Sequence, residues 1–312
     1  MRILITGGAG FIGSNLLIQL DQTEHTVRIL DNFSNGDSGF DHSKTSNVII
    51  GDIRDYNFCE EATRDIDAVI HLAAKGNVAD SIKNPDENFQ NNVKGTFNIL
   101  KACEKNGVNK FILASTGGAL MGNCELPVNE SSVPKPISPY GASKLACEGY
   151  CQAFSHIHDI NINILRFANV YGPYSLNKVG LVNTVMRNTS NKESIAVYGD
   201  GSSTRDFIYV DDLCRGIIQA LHHNNKGCDV FHLGTGIETS IIELINTIIR
   251  TSKKEGILIK YLDKRLGEVL NNFSSPNKAK DKLNFLPSTN LELGVQKTWE
   301  WHLRTFSTKE NI

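Results

Sequence analysis

The chain is expected to fold as an α/β protein, a doubly wound parallel sheet with a smaller, interleaved C-terminal unit. Three observations predict this. Short apolar runs without polar alternation recur through the first half, helical stretches separate them, and the rhythm loosens after residue 167. Strands buried on both faces and separated by helices make a parallel sheet covered on both sides.

The runs follow one another as RILIT (2–6), TVRIL (26–30), NVII (47–50), AVIHLA (68–73), KFILAS (110–115) and INILRF (162–167). Helical patterns lie between them, notably NFQNNVKGTFNILKACEKNG (88–107) and SKLACEGYCQAFSHIH (143–158). The ligand of such a sheet belongs at the carboxyl ends of its strands. Farther on, NVYGPYSLNKVG (169–180) and VYGDGSSTRDFIYVDD (197–212) are rich in Gly, Ser and Asp and read as loops around short strands. A helix is expected from Asp211 to about His223, then a strand over DVFHLGTG (229–236) and a helix near 240–253. The predicted division is 1–167, with a returning segment near 206–236, against 168–205 and 237–312. The polar tail STKENI is expected to fray.

Composition excludes several classes. Of 312 residues, 40% are apolar and 21% charged, with a net charge of −2, which argues against a nucleic-acid partner or a charged membrane surface. No apolar run approaches the roughly 18 residues of a membrane span, and MRILITGGAG lacks the h-region of a signal peptide. The seven cysteines are scattered, with no Cys-x-x-Cys, which suits reduced thiols and a cytoplasmic protein. Cys147 and Cys151 share a helix face, but no nearby His completes a ligand set. We read them as buried thiols and expect no metal.

ITGGAGFIGS (5–14) runs from a strand straight into a helix and carries Gly8-x-Gly10-x-x-Gly13, with Gly7 widening the pattern. These glycines allow a tight turn, close approach of the main chain to a pyrophosphate and close helix–sheet packing, the Rossmann-type arrangement. The helix N-terminus adds N–H donors and a positive dipole end. Asp31 ends the second strand 18 positions after Gly13. There a carboxylate accepts from the adenosine ribose hydroxyls and repels a 2′-phosphate, which favours NAD over NADP.

SPYGASK (138–144) sets Tyr140 and Lys144 four positions apart. An isolated pair of this kind is ordinarily a packed ring and a solvated ammonium. The nucleotide-binding turn makes an acid/base pair the alternative reading.

Taken together, the motifs resemble the extended short-chain dehydrogenase/reductase family, and within it the nucleotide-sugar 4-epimerases that act on UDP-glucose and UDP-galactose. TGGAGFIGS, DNFSNG (31–36), GDIRD (51–55), HLAA (71–74), NNVKGT (91–96), SPYGASK, RFANVYGP (166–173), GDGSSTRDFIYVDD and RLGE (265–268) stand in family order and cover nearly the whole chain. The resemblance implies that Gly7, Gly10, Phe11, Ile12, Gly13, Asn92 and the segment with Leu72, Ala73 and Ala74 line the cofactor. It gives Asp31 and Asn32 to the ribose, Asp52 and Ile53 to the adenine. It gives Asn169, Arg205 and Arg265 to the diphosphate and uridine of a UDP-sugar, a task suited to the bidentate guanidinium. A homodimer, through helices carrying 88–105 and 143–156, is implied in the same way.

By the same resemblance Tyr140 is the base. The Lys144 ammonium and the positive nicotinamide ring are both expected to pull its pKa from near 10 towards neutrality, which needs roughly 4 kcal/mol for 3 units. Lys144 would also hydrogen-bond the nicotinamide ribose. The implied activity is NAD-dependent 4-epimerisation of a UDP-sugar through a 4-keto intermediate.

The sequence departs from the family at the usual Ser/Thr beside the base, which falls on Gly117. The hydroxyls at hand are Thr116, the expected substitute, and Ser115. Met121 stands where the family commonly has Tyr and is expected to reshape the pocket wall. Gly118 and Ala119 replace the acids that the family's dehydratases and decarboxylases need. Asn272, four residues after Glu268, falls at the position facing the sugar's C2 substituent, and its size admits an N-acetyl group. Other chemistry on a 4-keto sugar is the alternative within enzymes. A non-catalytic NAD-binding regulator is the alternative outside them, disfavoured because it has no use for Tyr140, Lys144 or the two arginines.

Overall fold

The computed structural model describes residues 1–35, 38, 40–41, 47–224, 226–264 and 269–307. The first half runs β1 (Arg2–Thr6), α1 (Phe11–Leu20), β2 (Thr26–Asp31), β3 (Val48–Ile50), α2 (Tyr56–Ala62), β4 (Ala68–His71), α3 (Val78–Lys83) and α4 (Pro85–Phe89). It continues through α5 (Gly95–Asn106), β5 (Lys110–Thr116), α6 (Pro139–His158) and β6 (Asn161–Phe167). Next come β7 (Asn169–Tyr171), α7 (Leu181–Ser190), β8 (Ile195–Tyr198), β9 (Thr204–Arg205), β10 (Phe207–Tyr209), α8 (Val210–His222) and β11 (Cys228–Leu233). The chain closes with β12 (Thr239–Ser240), α9 (Ile241–Ser252), β13 (Ile259–Leu262), β14 (Asn271–Asn272), α10 (Asn277–Leu283) and α11 (Leu291–Ser307).

All six apolar runs of the first half are strands of one seven-stranded sheet, ordered β11-β6-β5-β4-β1-β2-β3. Every pairing in it is parallel. The expected Rossmann-type sheet is therefore present. The order reverses between β1 and β4, which opens a crevice at their carboxyl ends.

Both faces of the strands are apolar because both are covered. In β1, Ile3 and Ile5 join Leu16 and Leu20 of α1 and Leu213 and Ile217 of α8 on one side. Leu4 points the other way, into a core with Ile99 and Cys103 of α5 and Cys147 and Cys151 of α6. Full burial of each such aliphatic side chain contributes about 1.5–3 kcal/mol. The Cys147–Cys151 pair is thus core, and no group able to hold a metal occurs among the described residues.

Two elements differ from the sequence expectation. The helix expected over 88–107 is broken: α4 ends at Phe89, a wider π turn occupies Gln90–Lys94, and α5 begins at Gly95. Such single-turn bulges insert one residue and re-aim side chains. Here the turn directs Asn92 inward, where its Nδ2 donates to the Lys75 carbonyl at 3.1 Å and to Ser143 Oγ at 2.9 Å. Its Oδ1 accepts from the Lys75 N–H at 2.8 Å. The other helix starts earlier than 143: Ser138 caps α6, its Oγ accepting from the Gly141 N–H at 3.2 Å, and Pro139 occupies the first turn.

The looser second half builds a third core from α7, α9, β8 and β10, with Val182, Met186, Val197, Tyr209, Leu244 and Ile248 buried together. Short strands frame it: β7 pairs β10, β8 pairs β13, and β9 joins β12 and β14.

Candidate active site

The nucleotide-binding turn is shaped by close contact. Gly7 has φ +71°, and a Cβ there would lie 2.7 Å from the Ala73 amide nitrogen, so the turn presses on the end of β4. A Cβ at Gly13 would lie 2.5 Å from the Gly8 carbonyl oxygen. Helix α1 has Gly10 as its N-cap, no side-chain cap and no acid in its first turn. Its leading N–H groups point into the cleft as donors for a pyrophosphate.

Asp31 closes β2, with Oδ2 accepting from the Ala9 N–H at 2.9 Å and Oδ1 from the Phe33 N–H at 2.8 Å. These two contacts aim the carboxylate and leave lone pairs for ribose hydroxyls. Asn32 donates to Asp52 Oδ2 at 2.9 Å. Asp52 is committed mainly to Arg54, whose hydrogen bonds hold its carboxyl down at about 2.

One cavity of about 1120 Å³ gathers the expected residues. Gly7, Gly10, Phe11, Ile12, Gly13, Asp31, Asn32, Ile53, Leu72, Ala73 and Ala74 line one part of it. Ser115, Thr116, Tyr140, Lys144, Asn169, Arg205 and Asn272 line the rest. Its size exceeds the roughly 300–1,000 Å³ of a pocket for one small ligand. Asp52 and Asn92 do not line it: Asp52 supports Asn32, and Asn92 fixes the Lys75 main chain from behind. Arg265 and Glu268 lie outside the described residues. Met121 does not shape the wall as expected but is buried beside Leu120 and Val128.

The strand–helix pair β5 and α6 delivers the reactive groups. Successive strand residues face opposite sides, and this separates the two candidate hydroxyls. Thr116 hydrogen-bonds the Tyr140 phenol. Ser115 turns inward and donates to Glu148 Oε1 at 2.6 Å. The main chain of Tyr140 is held by its N–H donating to Ser81 Oγ at 3.1 Å.

The electrostatics correct one expectation. Burial pushes the Tyr140 phenol up to about 12, opposed by the Thr116 hydrogen bond, and Lys144 is not among the charges acting on it. The reason is geometric: the Lys144 ammonium donates to the Ala114 carbonyl at 2.8 Å, and burial lowers its own pKa. Beneath this layer His71 bridges Thr6 Oγ1 at 2.7 Å and Thr96 Oγ1 at 3.0 Å, and burial holds the imidazole neutral, down to about 3.

On the opposite wall, Arg205 Nη1 donates to the Thr204 and Leu270 carbonyls at 2.7 and 2.9 Å, tying β9 to the residues before β14. Asn272 is buried and donates from Nδ2 to the Gly117 carbonyl at 3.2 Å. A Cβ at Gly118 would meet its Oδ1 at 3.4 Å.

A glycine-lined dinucleotide turn sharing one cleft with a Thr–Tyr pair defines an NAD-dependent enzyme of the extended short-chain dehydrogenase/reductase class. The chain belongs to the NAD dependent epimerase/dehydratase family, whose pattern it matches over residues 3–234. It is 36% identical over 303 residues to a putative UDP-glucose 4-epimerase of Methanocaldococcus jannaschii, covering 96% of this chain and 97% of that one. It resembles the crystal structure of UDP-glucose 4-epimerase with UDP-glucose from Thermotoga maritima, with a TM-score of 0.93 and 33% identity over 98% of this chain and 100% of that one. A dTDP-glucose 4,6-dehydratase from Streptomyces venezuelae, crystallised with NAD, has a TM-score of 0.91 and 28% identity, covering 99% of this chain and 98% of that one.

Proposed function

We propose that the protein is a UDP-sugar 4-epimerase. The observation that carries this reading is the Tyr140 phenol on Thr116, in one cleft with the NAD turn and Arg205, beside Gly118 and Ala119, which can move no proton. That last feature favours epimerisation over dehydration, which needs proton transfers at C5 and C6 as well.

When bound, NAD+ accepts and returns hydrogen at the sugar C4 as hydride, so the sugar passes through a 4-keto form. The Gly7–Gly13 turn would hold its pyrophosphate and Asp31 its adenosine ribose. Tyr140 takes the proton from the 4-hydroxyl with Thr116 beside it, and gives it back to the 4-oxygen after the sugar has turned its other face towards the nicotinamide position. Since burial chiefly raises the phenol's pKa, Tyr140 needs a compensating positive charge to act as the base, and oxidised NAD would supply one when bound. Asn169 and Arg205, with Arg265, clamp the diphosphate and uridine, while the sugar stays free to turn.

The two hydroxyls give a sharp contrast. Thr116→Val should lower kcat by about 10²–10³, as loss of one aimed hydrogen bond does. Ser115→Ala should leave kcat within about threefold and lower stability by about 1–2 kcal/mol, since it removes one hydrogen bond to a buried carboxylate. Steady-state rates and thermal melts of both variants check this; equal rate losses would move the relay away from Thr116.

Substrate width is tested together with the function itself. UDP-glucose, UDP-galactose and their N-acetyl forms are incubated with the enzyme and the products separated. We expect interconversion of the C4 epimers with no dehydrated product, and acceptance of the N-acetyl forms. Asn272→Tyr should abolish turnover of UDP-N-acetylglucosamine and spare UDP-glucose. A dehydrated sugar as the product, or no product at all, would overturn the reading; equal losses on both sugars would end the gatekeeper role of Asn272.

Three structural features support the remaining expectations. The third core supports a separate substrate-binding unit over 168–205 and 237–312, although α10 packs against the sheet instead. Phe97 stacks edge-on with Tyr150 and Phe154 at 5.4 and 5.9 Å, and Tyr150 is exposed, an aromatic stripe on α5 and α6 suited to a second copy of the chain. The cysteines are unpaired, which suits the cytoplasm, and no helix among the described residues is long and apolar enough to cross a membrane.

A further inference from the structure

Lys178 belongs to none of the motifs above, yet its ammonium stands over the Phe11 ring, 4.7 Å from the centroid. Phe11 is the first residue of α1, so this places a cation beside the uncapped helix end that faces the cofactor. Lys178 lines the main cavity and a second one of about 380 Å³ that opens beside it.

The segment carrying Lys178 is built onto the cofactor turn. Asn15 Nδ2 donates to both the Phe11 and Pro173 carbonyls at 2.9 Å. The Lys178 N–H donates to the Ser175 carbonyl at 3.0 Å, and Asn183 Nδ2 donates to the Lys178 carbonyl at 3.1 Å. The backbone position is therefore fixed relative to α1. The ammonium donates to the Val170 carbonyl. None of the ion pairs among the described residues includes it.

Lys178 is exposed as a residue and lines both cavities, while the protein atoms crowding its ammonium lower its pKa to about 8. With a pKa of about 8 it is still mostly a cation at neutral pH. A partly dehydrated ammonium facing no carboxylate has most to gain from an anionic ligand.

We propose that Lys178 is a cofactor-retaining residue: its ammonium leaves the Val170 carbonyl to pair with the NAD pyrophosphate, closing the cradle that Gly7–Gly13 forms from below. Main-chain N–H groups of the turn supply direction, and Lys178 supplies the full charge they lack. The flexible four-carbon stem gives the reach, and the ring of Phe11 holds the ammonium ready.

The test uses the full-length holoenzyme. Bound NAD is chased with an excess of the fluorescent etheno analogue, and its release rate is measured for wild type, Lys178→Met, Lys178→Gln and Lys178→Arg. UDP affinity is titrated on the same samples, and far-ultraviolet dichroism checks the fold of each. Release is expected to be at least tenfold faster in the Met and Gln variants and largely restored in the Arg variant. Added salt should speed release in wild type more than in Lys178→Met, and UDP affinity should change less than threefold. Release within threefold of wild type in the folded Met and Gln variants, or a loss of UDP affinity as large as the gain in release rate, would overturn the proposal. The second outcome would place Lys178 on the substrate diphosphate.

Discussion

Tyr140→Phe is expected to lower turnover by about 10²–10⁴, the usual cost of losing a general base, while NAD stays bound and the fold is kept. The ring remains at the second position of α6, whose start is set by the Ser138 cap and Pro139. Only the phenol oxygen and its bond to Thr116 are lost. Because burial raises this phenol to about 12, a tyrosinate at neutral pH requires a compensating positive charge. The wild-type rate should therefore rise with pH along a limb that Tyr140→Phe abolishes. Steady-state rates across pH, with the absorbance of bound cofactor to confirm occupancy, check both points. Activity within tenfold of wild type would remove Tyr140 from the mechanism.

Glu148→Ala is expected to cost about 3–5 kcal/mol of stability, the range for breaking a buried pair by removing one partner. Arg166 donates to Glu148 through Nε at 3.0 Å and Nη2 at 2.7 Å, with side chains only 6% and 8% exposed, and Ser115 adds a third bond. The truncation leaves a guanidinium inside the protein with no carboxylate. His232 beside it is held neutral, its imidazole pushed down to about 3 by burial and then by Arg166, and it has no negative charge with which to replace the carboxylate. A chain of this size should melt on the order of 10 °C lower. Glu148→Gln, which keeps shape and one acceptor, should lose less. Thermal melts of both settle it; a shift under 2 °C for the Ala variant would show that the pair adds nothing net.

Much of the fold was legible because the strands are apolar on both faces, and six such runs separated by helices allow few arrangements. The cofactor half of the site was equally legible, since a turn that needs Gly7 and Gly13 announces itself. What escaped depended on neighbours. Helix α7 is hidden in LVNTVMRNTS, whose Asn and Thr have poor helix propensity, and only packing of Val182, Val185 and Met186 settles it. The choice of Thr116 over Ser115 was within reach, as alternation along β5 sends them to opposite sides. The pKa of Tyr140 was not, because it turns on where the Lys144 ammonium rests, and four-residue spacing does not fix that. Lys178 has no motif at all; its place follows from a loop stitched to α1 by Asn15.

The π turn at Gln90–Lys94 has a consequence for chain length. An α-helix advances about 100° per residue, so this one added residue sets the phase between everything before and after it. Upstream of the turn's end, Asn92 must face Lys75; downstream, Phe97 must face Tyr150. Shortening the segment by one residue would restore a regular helix and swing one group or the other by about a quarter of a revolution. The cofactor wall and the aromatic stripe are thereby geared together, so that drift in the length of this segment cannot alter one without displacing the other.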